Sequence, residues 1–360
     1  MTTPQRSVLS IRAGHSALRQ LQSDGFHAAD IGILPGAAGG PKAIGITGLD
    51  QAIFEWLAAA PRSRELIGAS IGAWRMVCAM QADPSQAFAR LAASYCDTRF
   101  TSRDRATITR QTREMLQDIF GAGRPEDLLQ HPHYRLSLLL AQSRGLLKHE
   151  SNAVLGAGLL YAVALNTLAR PLLSQAFTRV ICHDPRSQLT LPLNDGITTR
   201  RLALSANNLH AALMGTVAIP GVLHGSRIES ESGALFRDGG LTDYHLDLPF
   251  APNSSLTLYP HFGERIIPGW FDKFLPWRQA DPARQANTIL IAPSRDYLAR
   301  LPFGKLPDRS DFKRFATDEK QRQRYWRFAS AESQRLGDAF RELAYNGRMA
   351  ELARPLFAPQ

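Results

Sequence analysis

Two hydrophobic rhythms alternate along this chain. The run Ile31-Gly32-Ile33-Leu34 is continuously apolar and stops at Pro35-Gly36, the pattern of a short strand ended by turn residues. Behind it, Ile46, Leu49, Ile53 and Trp56 recur at helical spacing, which predicts a helix over 43–57. Residues 65–80 repeat the plan: Glu65-Leu66-Ile67 as a brief strand, Gly68–Gly72 as a tight turn, Ala73–Met80 as an apolar helix. Strands alternating with helices predict an α/β fold with a mainly parallel sheet. Thr178–His183, Leu256–Tyr259 and Thr288–Ala292 read as further strands, the last apolar enough for the sheet interior. Residues 15–24 read as a short surface helix, and 85–150 as mostly helical. Leu189–Leu193 and Ile197–Thr199 flank Asn194-Asp195-Gly196, which predicts a hairpin. From Ser310 onward the pattern is helical and Arg-rich.

No repeat, low-complexity tract or Pro/Gly/Ser linker divides the 360 residues, so one large domain with a helical carboxyl-terminal extension is expected. The uncharged stretch 151–169 approaches the length of a membrane span. Its Asn, Thr, Gly and Ala content makes it weakly apolar, and a buried helix is the expectation. At 44% hydrophobic and 21% charged residues, the chain is neither disordered nor fibrous. Its three cysteines, Cys78, Cys96 and Cys182, form no CxxC pair, which argues against a zinc cage and a disulfide framework. No metal or cofactor is expected. The residues after Met1 show no apolar leader, so a cytoplasmic location is expected. The net charge of +10 leaves anionic surfaces as candidate partners. No nucleic-acid motif accompanies it.

Three motifs carry chemistry. Gly68-Ala69-Ser70-Ile71-Gly72 is a GxSxG between strand and helix, the context of a nucleophile elbow. The turn is so sharp that side chains at 68 and 72 must be absent. The segment Gly36-Ala37-Ala38-Gly39-Gly40-Pro41-Lys42-Ala43-Ile44-Gly45 also joins strand to helix. It lacks the spacing of a dinucleotide fingerprint. It fails as a phosphate-binding P-loop too, because Pro41 stands where glycine is needed and Ala43 follows Lys42. An oxyanion hole built from bare backbone N–H groups is the reading that uses the neighbouring serine. Phe236-Arg237-Asp238-Gly239-Gly240-Leu241 is by itself an ordinary Asp-Gly turn.

Together the motifs resemble the patatin-like phospholipase family: an oxyanion loop (Ala38-Gly39-Gly40-Pro41-Lys42-Ala43), a GxSxG, a small-residue segment before proline (Ala218-Ile219-Pro220) and a distant Asp-Gly-Gly. Ala38 and Ala43 depart from the family's glycines, and Thr242-Asp243-Tyr244-His245 departs from its Asn and Pro after the aspartate. The resemblance covers roughly residues 28–295 and implies a three-layer patatin-like domain, after a helical lead-in at 1–27 and before a basic extension at 296–360. It implies a serine lipid acyl hydrolase of the phospholipase A or lysophospholipase type, in which Ser70 and Asp238 form a dyad without histidine. Gly39, Gly40 and Ile71 would hold the oxyanion. Lys42 could anchor the loop or be a plain surface lysine. Ala38, Gly68, Gly72, Gly239 and Gly240 would support the geometry. Acyl transfer and thioester hydrolysis stay open, as does a non-catalytic lipid-binding protein. A Ser-His-Asp hydrolase, with His245 or His261 as base, is the rival mechanism.

Residues 266–278 place two Trp and two Phe beside Lys273 and Arg278, and 320–341 read as one basic helix with an imperfect apolar face. Each could touch an anionic membrane surface or pack on its own domain. The segments 151–169 and 266–278 are also candidates to shape an acyl channel for the lipid or acyl-ester substrate.

Overall fold

A computed structural model describes residues 7–99, 104–121, 123–250 and 255–358; residues 1–6, read above for the absence of a leader, lie outside them. The strands are β1 (Leu9–Ala13), β2 (Ile31–Gly36), β3 (Arg64–Ala69), β4 (Tyr134–Ser143), β5 (Phe177–His183), β6 (Thr199–Ala203), β7 (Phe236–Asp238), β8 (Leu256–Pro260), β9 (Thr288–Pro293) and β10 (Ala353–Pro355). They form one sheet in the order β10-β1-β9-β8-β2-β3-β4-β5-β6, with β7 added on β4. The consecutive neighbours β9, β8, β2, β3 and β4 are parallel. Antiparallel pairs occur at β1–β9, β4–β5 and β4–β7. The chain is thus α/β with a mostly parallel central sheet, as the alternating pattern predicts. The helical lead-in expected for 1–27 also holds β1, which pairs with β10 near the other end of the chain.

The helices are α1 (His15–Ser23), α2 (Thr47–Ala58), α3 (Ile71–Ala79), α4 (Pro84–Asp97), α5 (Arg105–Phe120), α6 (Pro125–Leu129), α7 (Asn152–Leu168), α8 (Ala206–Thr216), α9 (Arg295–Leu298), α10 (Ser310–Arg314), α11 (Glu319–Glu332), α12 (Gln334–Tyr345) and α13 (Met349–Leu352). A tight 3-10 stretch, Gly40–Ile46, leads into α2. Successive strand residues face opposite sides. Leu34, Leu66, Leu138 and Val180 join the large helix-covered core. Ile33, Ile67, Leu139 and Ile181 join a second core, capped by irregular chain around Leu189, Tyr244, Leu246 and Leu248. The three cysteines are buried and unpaired.

Three expectations are corrected. Residues 85–150 are not mostly helical to their end, because 134–143 form β4, the longest strand. Its sequence YRLSLLLAQS is covered on both faces, so it lacks the alternation that marks a strand. The hairpin at 189–199 does not form. Only β6 is a strand there, and it pairs with β5 in parallel. Asp195 instead turns inward to the buried Arg179, accepting from Nη1 at 3.1 Å. The helix at 151–169 is not buried. Leu155, Ala162 and Leu165 pack inward, while Leu160 is 73% and Leu168 77% exposed. Lack of charge does not equal burial. Among the described residues no helix is long and apolar enough to cross a membrane.

The aromatic segment divides as well: Phe271 is buried, whereas Phe274 and Trp277 stand exposed. In the basic carboxyl-terminal region, Trp326 of α11 and Phe340 of α12 are buried, and the Phe340 ring meets Trp56 of α2 edge-on at 5.6 Å. The apolar face of this region therefore packs on its own domain.

The strand pairing on β4 positions the site. β3 pairs with its first part, ending at Ala69 opposite Leu139. β7 pairs with the next part, with Asp238 opposite Leu140. β3 is parallel to β4 and β7 antiparallel, so their carboxyl ends meet and bring Ser70 to Asp238.

Candidate active site

Ser70 occupies the turn between β3 and α3 with φ +54° and ψ −132°. A non-glycine residue holds such a conformation at a cost on the order of 1–3 kcal/mol. The flanking glycines are required by contact. A Cβ on Gly68 would stand 2.5 Å from the Ala73 backbone, and one on Gly72 would stand 2.7 Å from the Ala37 carbonyl oxygen. The strained turn is held from behind by Thr216. The Ser70 backbone N–H donates to Thr216 Oγ1 at 2.9 Å, and that hydroxyl donates to the Leu139 carbonyl at 2.7 Å. Replacing Thr216 with valine strands both buried backbone groups. The expected loss is about 2–4 kcal/mol of unfolding free energy in urea titration, with Thr216→Ser retaining most of it.

The Ser70 hydroxyl donates to Asp238 Oδ2 at 2.7 Å, and both residues are buried. The Gly240 N–H donates to Asp238 Oδ1 at 2.8 Å. Burial raises the Asp238 pKa above the usual carboxylate range, opposed by the Arg309 charge and by the hydrogen bonds from Ser70 and Gly240. The Asp238 N–H donates to the Ala218 carbonyl at 3.0 Å, which ties the Ala218-Ile219-Pro220 segment to the aspartate. Gly239 lies against the Leu139 carbonyl, where a side chain has no room.

The unusual residues after the aspartate have structural duties. Asp243 is buried and accepts from Arg179 Nε at 2.7 Å. The Tyr244 carbonyl accepts the Ala38 N–H at 2.8 Å, which fastens the glycine-rich loop to the aspartate loop. The Ala38 methyl lies 2.8 Å from where a Cβ on Gly240 would stand, so this alanine fills space between the two loops.

Gly40 has φ +57°, a conformation suited to glycine, and lines the cavity beside Ser70. Gly39 lies against the Phe262 ring instead. Among the described residues, no protein acceptor takes the N–H of Gly39, Gly40 or Ile71. Buried backbone donors without partners are rare; Gly40 lines the cavity beside Ser70 and Ile71 follows the serine directly, so these two are the donors best suited to a developing oxyanion. Lys42 is not a plain surface lysine. It is half-buried beside Asp308 and Lys305, and burial lowers its pKa.

The histidines stand apart from the dyad. The His245 and His261 rings pack edge-on at 4.3 Å from each other, and burial holds both pKa values down, that of His261 to about 3. His210 is half-buried near Arg113, and His224 lies 3.4 Å from Glu150. No imidazole stands between Ser70 and Asp238, whose side chains meet directly.

Ser70 opens into a cavity of about 670 Å³. Trp74 of α3, Ile108 and Met115 of α5, and Val217, Ile219 and Leu223 give it an apolar wall. The facing wall comes from residues 309–322, including Arg309, Lys313 and Phe315. Neither α7 nor the 266–278 segment lines it, so the two segments expected to shape an acyl channel do not border this cavity. A second hollow, of about 660 Å³ around Arg265, Pro293 and Leu356, holds neither member of the dyad. Sequence reasoning singled out neither Thr216 nor Arg309. Thr216 carries no local signal, and Arg309 is one arginine in an Arg-rich region. Among the described residues, no group of three or more His, Cys, Asp or Glu side chains could hold a metal ion. No family model matches the chain, and no curated protein matches it either.

Proposed function

We propose that the protein is a serine acyl hydrolase of the patatin-like type, acting on carboxylic esters of lipids. The observation that carries this reading is the direct hydrogen bond to the buried Asp238 from Ser70, which lines a cavity with an apolar wall. Ser70 Oγ attacks the ester carbonyl carbon while its proton passes to Asp238. The N–H groups of Gly40 and Ile71, with Gly39 behind them, hold the oxyanion. The tetrahedral intermediate collapses, the bond to the leaving group breaks, and the departing alcohol takes the proton from Asp238. Water then attacks the acyl-enzyme carbonyl and gives a proton to Asp238; the bond from the acyl carbon to Ser70 Oγ breaks, Ser70 takes that proton back from Asp238, and the carboxylic acid is released. The apolar wall suits an acyl chain.

The test pairs a fluorophosphonate probe with p-nitrophenyl esters of increasing chain length. The expected result is labelling at Ser70, displacing fluoride, and hydrolysis that favours longer chains. Ser70→Ala loses both. His245→Ala and His261→Ala retain hydrolysis if they fold. A folded His245→Ala or His261→Ala protein without activity would favour a triad. A folded wild type that neither labels nor hydrolyses any ester would sink the hydrolase reading.

A further inference from the structure

Seven of the eleven exposed large hydrophobic side chains among the described residues fall in two short stretches, 146–168 and 274–277. The two stretches adjoin. Arg278 Nη2 donates to the Asn166 carbonyl at 2.9 Å, and Asn166 Nδ2 donates to Asp272 Oδ1 at 2.7 Å. A Cβ on Gly158 would meet Leu147 at 3.0 Å and Leu146 at 3.2 Å, so the turn before α7 packs on the same helix. α7 itself is two-faced. Leu155, Ala162 and Leu165 pack inward with Phe271 and with Leu241, which follows the Asp238 loop. On the opposite side, at helical spacing, Ala153, Ala157, Leu160, Ala164 and Leu168 are exposed. No charge solvates that face. Beside it, Phe274 is 72% and Trp277 67% exposed. A contiguous apolar patch of this kind marks an interaction surface.

The charge around the patch indicates what covers it. Residues 144–176 and 265–279 hold six Lys and Arg but two acids, Glu150 and Asp272. Both acids are taken: Glu150 by Arg105 at 2.7 Å and Arg237 at 3.2 Å, Asp272 by Arg170 at 3.1 Å. Arg144, Lys148 and Lys273 stand exposed, with no carboxylate at ion-pair distance among the described residues. Burial, with Lys42 and Arg309 nearby, pushes the Lys273 pKa down to about 8, which leaves it protonated at neutral pH. A second copy of the chain, docked through this face about a two-fold axis, would set these cations against themselves. An anionic bilayer takes both features. Its interface accepts the apolar and aromatic side chains, and its headgroups accept the cations. We propose that the outer face of α7, with Phe274 and Trp277, is a docking surface for an anionic lipid bilayer, on which α7 lies flat. The face adjoins the Asp238 loop through Leu241 but does not line the cavity at Ser70, so docking is separable from chemistry. The proposal stands whether or not the hydrolase reading does.

The experiment uses Ser70→Ala protein, so that vesicle lipid stays intact, and vesicles of phosphatidylcholine with or without phosphatidylserine. Co-sedimentation gives a partition constant. The protein is expected to bind the phosphatidylserine vesicles and to lose affinity as salt rises. Leu160→Gln combined with Leu168→Gln, at exposed positions that leave the core intact, lowers the constant about ten- to hundredfold. Lys148→Gln combined with Lys273→Gln lowers it about tenfold and flattens its salt dependence. Brominated lipid quenches Trp277, and Trp277→Phe removes most of that quenching, because Trp56, Trp74 and Trp326 are buried. Folded protein that does not sediment with the phosphatidylserine vesicles overturns the proposal. So does binding that survives the leucine pair, which would move the contact to another basic surface such as α11. Light scattering tests the second copy: dimers that the leucine pair dissociates, without vesicle binding, would assign the face to self-association and overturn the lipid reading. None of these outcomes depends on whether wild type hydrolyses a soluble ester, so the two ideas fail separately.

Discussion

Asp238→Asn is expected to lower ester hydrolysis about 10⁴-fold, at the upper end of what a general base supplies, because one carboxylate serves both half-reactions. The amide keeps the shape of the carboxyl and can still accept from the Gly240 N–H, so the variant should fold. It cannot take the Ser70 proton. Steady-state rates on a p-nitrophenyl ester, with fluorophosphonate labelling of the same samples, measure the effect; a loss under about tenfold would remove Asp238 from the mechanism. The wild-type pH profile carries the same signature. Burial raises the Asp238 pKa while Arg309, Ser70 and Gly240 oppose it. The base is competent only when ionised, so activity falls as pH drops through that raised value, above the usual carboxylate range. The linkage to stability has the opposite sign. A carboxyl with a raised folded-state pKa stabilises the fold fully below its unfolded value. That contribution is lost as pH rises through the folded value. In the proposed mechanism, ionising Asp238 therefore gains catalysis and weakens the fold.

Gly72→Ala is expected to cost more than about 3 kcal/mol in urea unfolding and to abolish labelling of Ser70, beyond the usual range for overpacking. The added methyl would run into the Gly36 carbonyl and stand 2.7 Å from the Ala37 carbonyl oxygen. These are backbone atoms of a central strand and the loop after it, so no side chain can swing aside. Gly156→Ala in α7 is the contrast. A Cβ there meets nothing within 4 Å. The exchange should stabilise the helix by about 0.5–1 kcal/mol. A mild effect at Gly72 would mean that α3 can withdraw from β2, and the turn at Ser70 would not be rigid.

What was legible in the sequence depended on how locally each constraint acts. The turn at Ser70 could be read because its glycines answer contacts within a few residues and with the neighbouring loop. The strand–loop–helix order at 31–57 was legible for the same reason, although the first part of that helix is the 3-10 stretch Gly40–Ile46. β4 was not legible, because a strand buried on both faces loses the period of two and resembles part of a buried helix. The turn signal at Asp195-Gly196 misled because the carboxylate serves Arg179, a partner 16 residues away. The helix at 151–169 misled in another way: its residues lack charge on both faces, yet the fold covers only one. Thr216 and Arg309 gave no signal because they reach Ser70 and Asp238 through contacts across the fold.

The meeting of β3 and β7 on β4 also bears on how the molecule is made. Ser70 and Asp238 are 168 residues apart, and their contact requires a third strand as a ruler. Pairings of such long range form late, because loop closure comes before their reward. A growing chain that has released Ser70 and even all of β4 still carries a serine without its hydrogen-bond partner Asp238. If the proposed dyad is the nucleophile, reactivity toward a fluorophosphonate should therefore appear during refolding only with the finished sheet, and the serine of a nascent chain should stay unreactive.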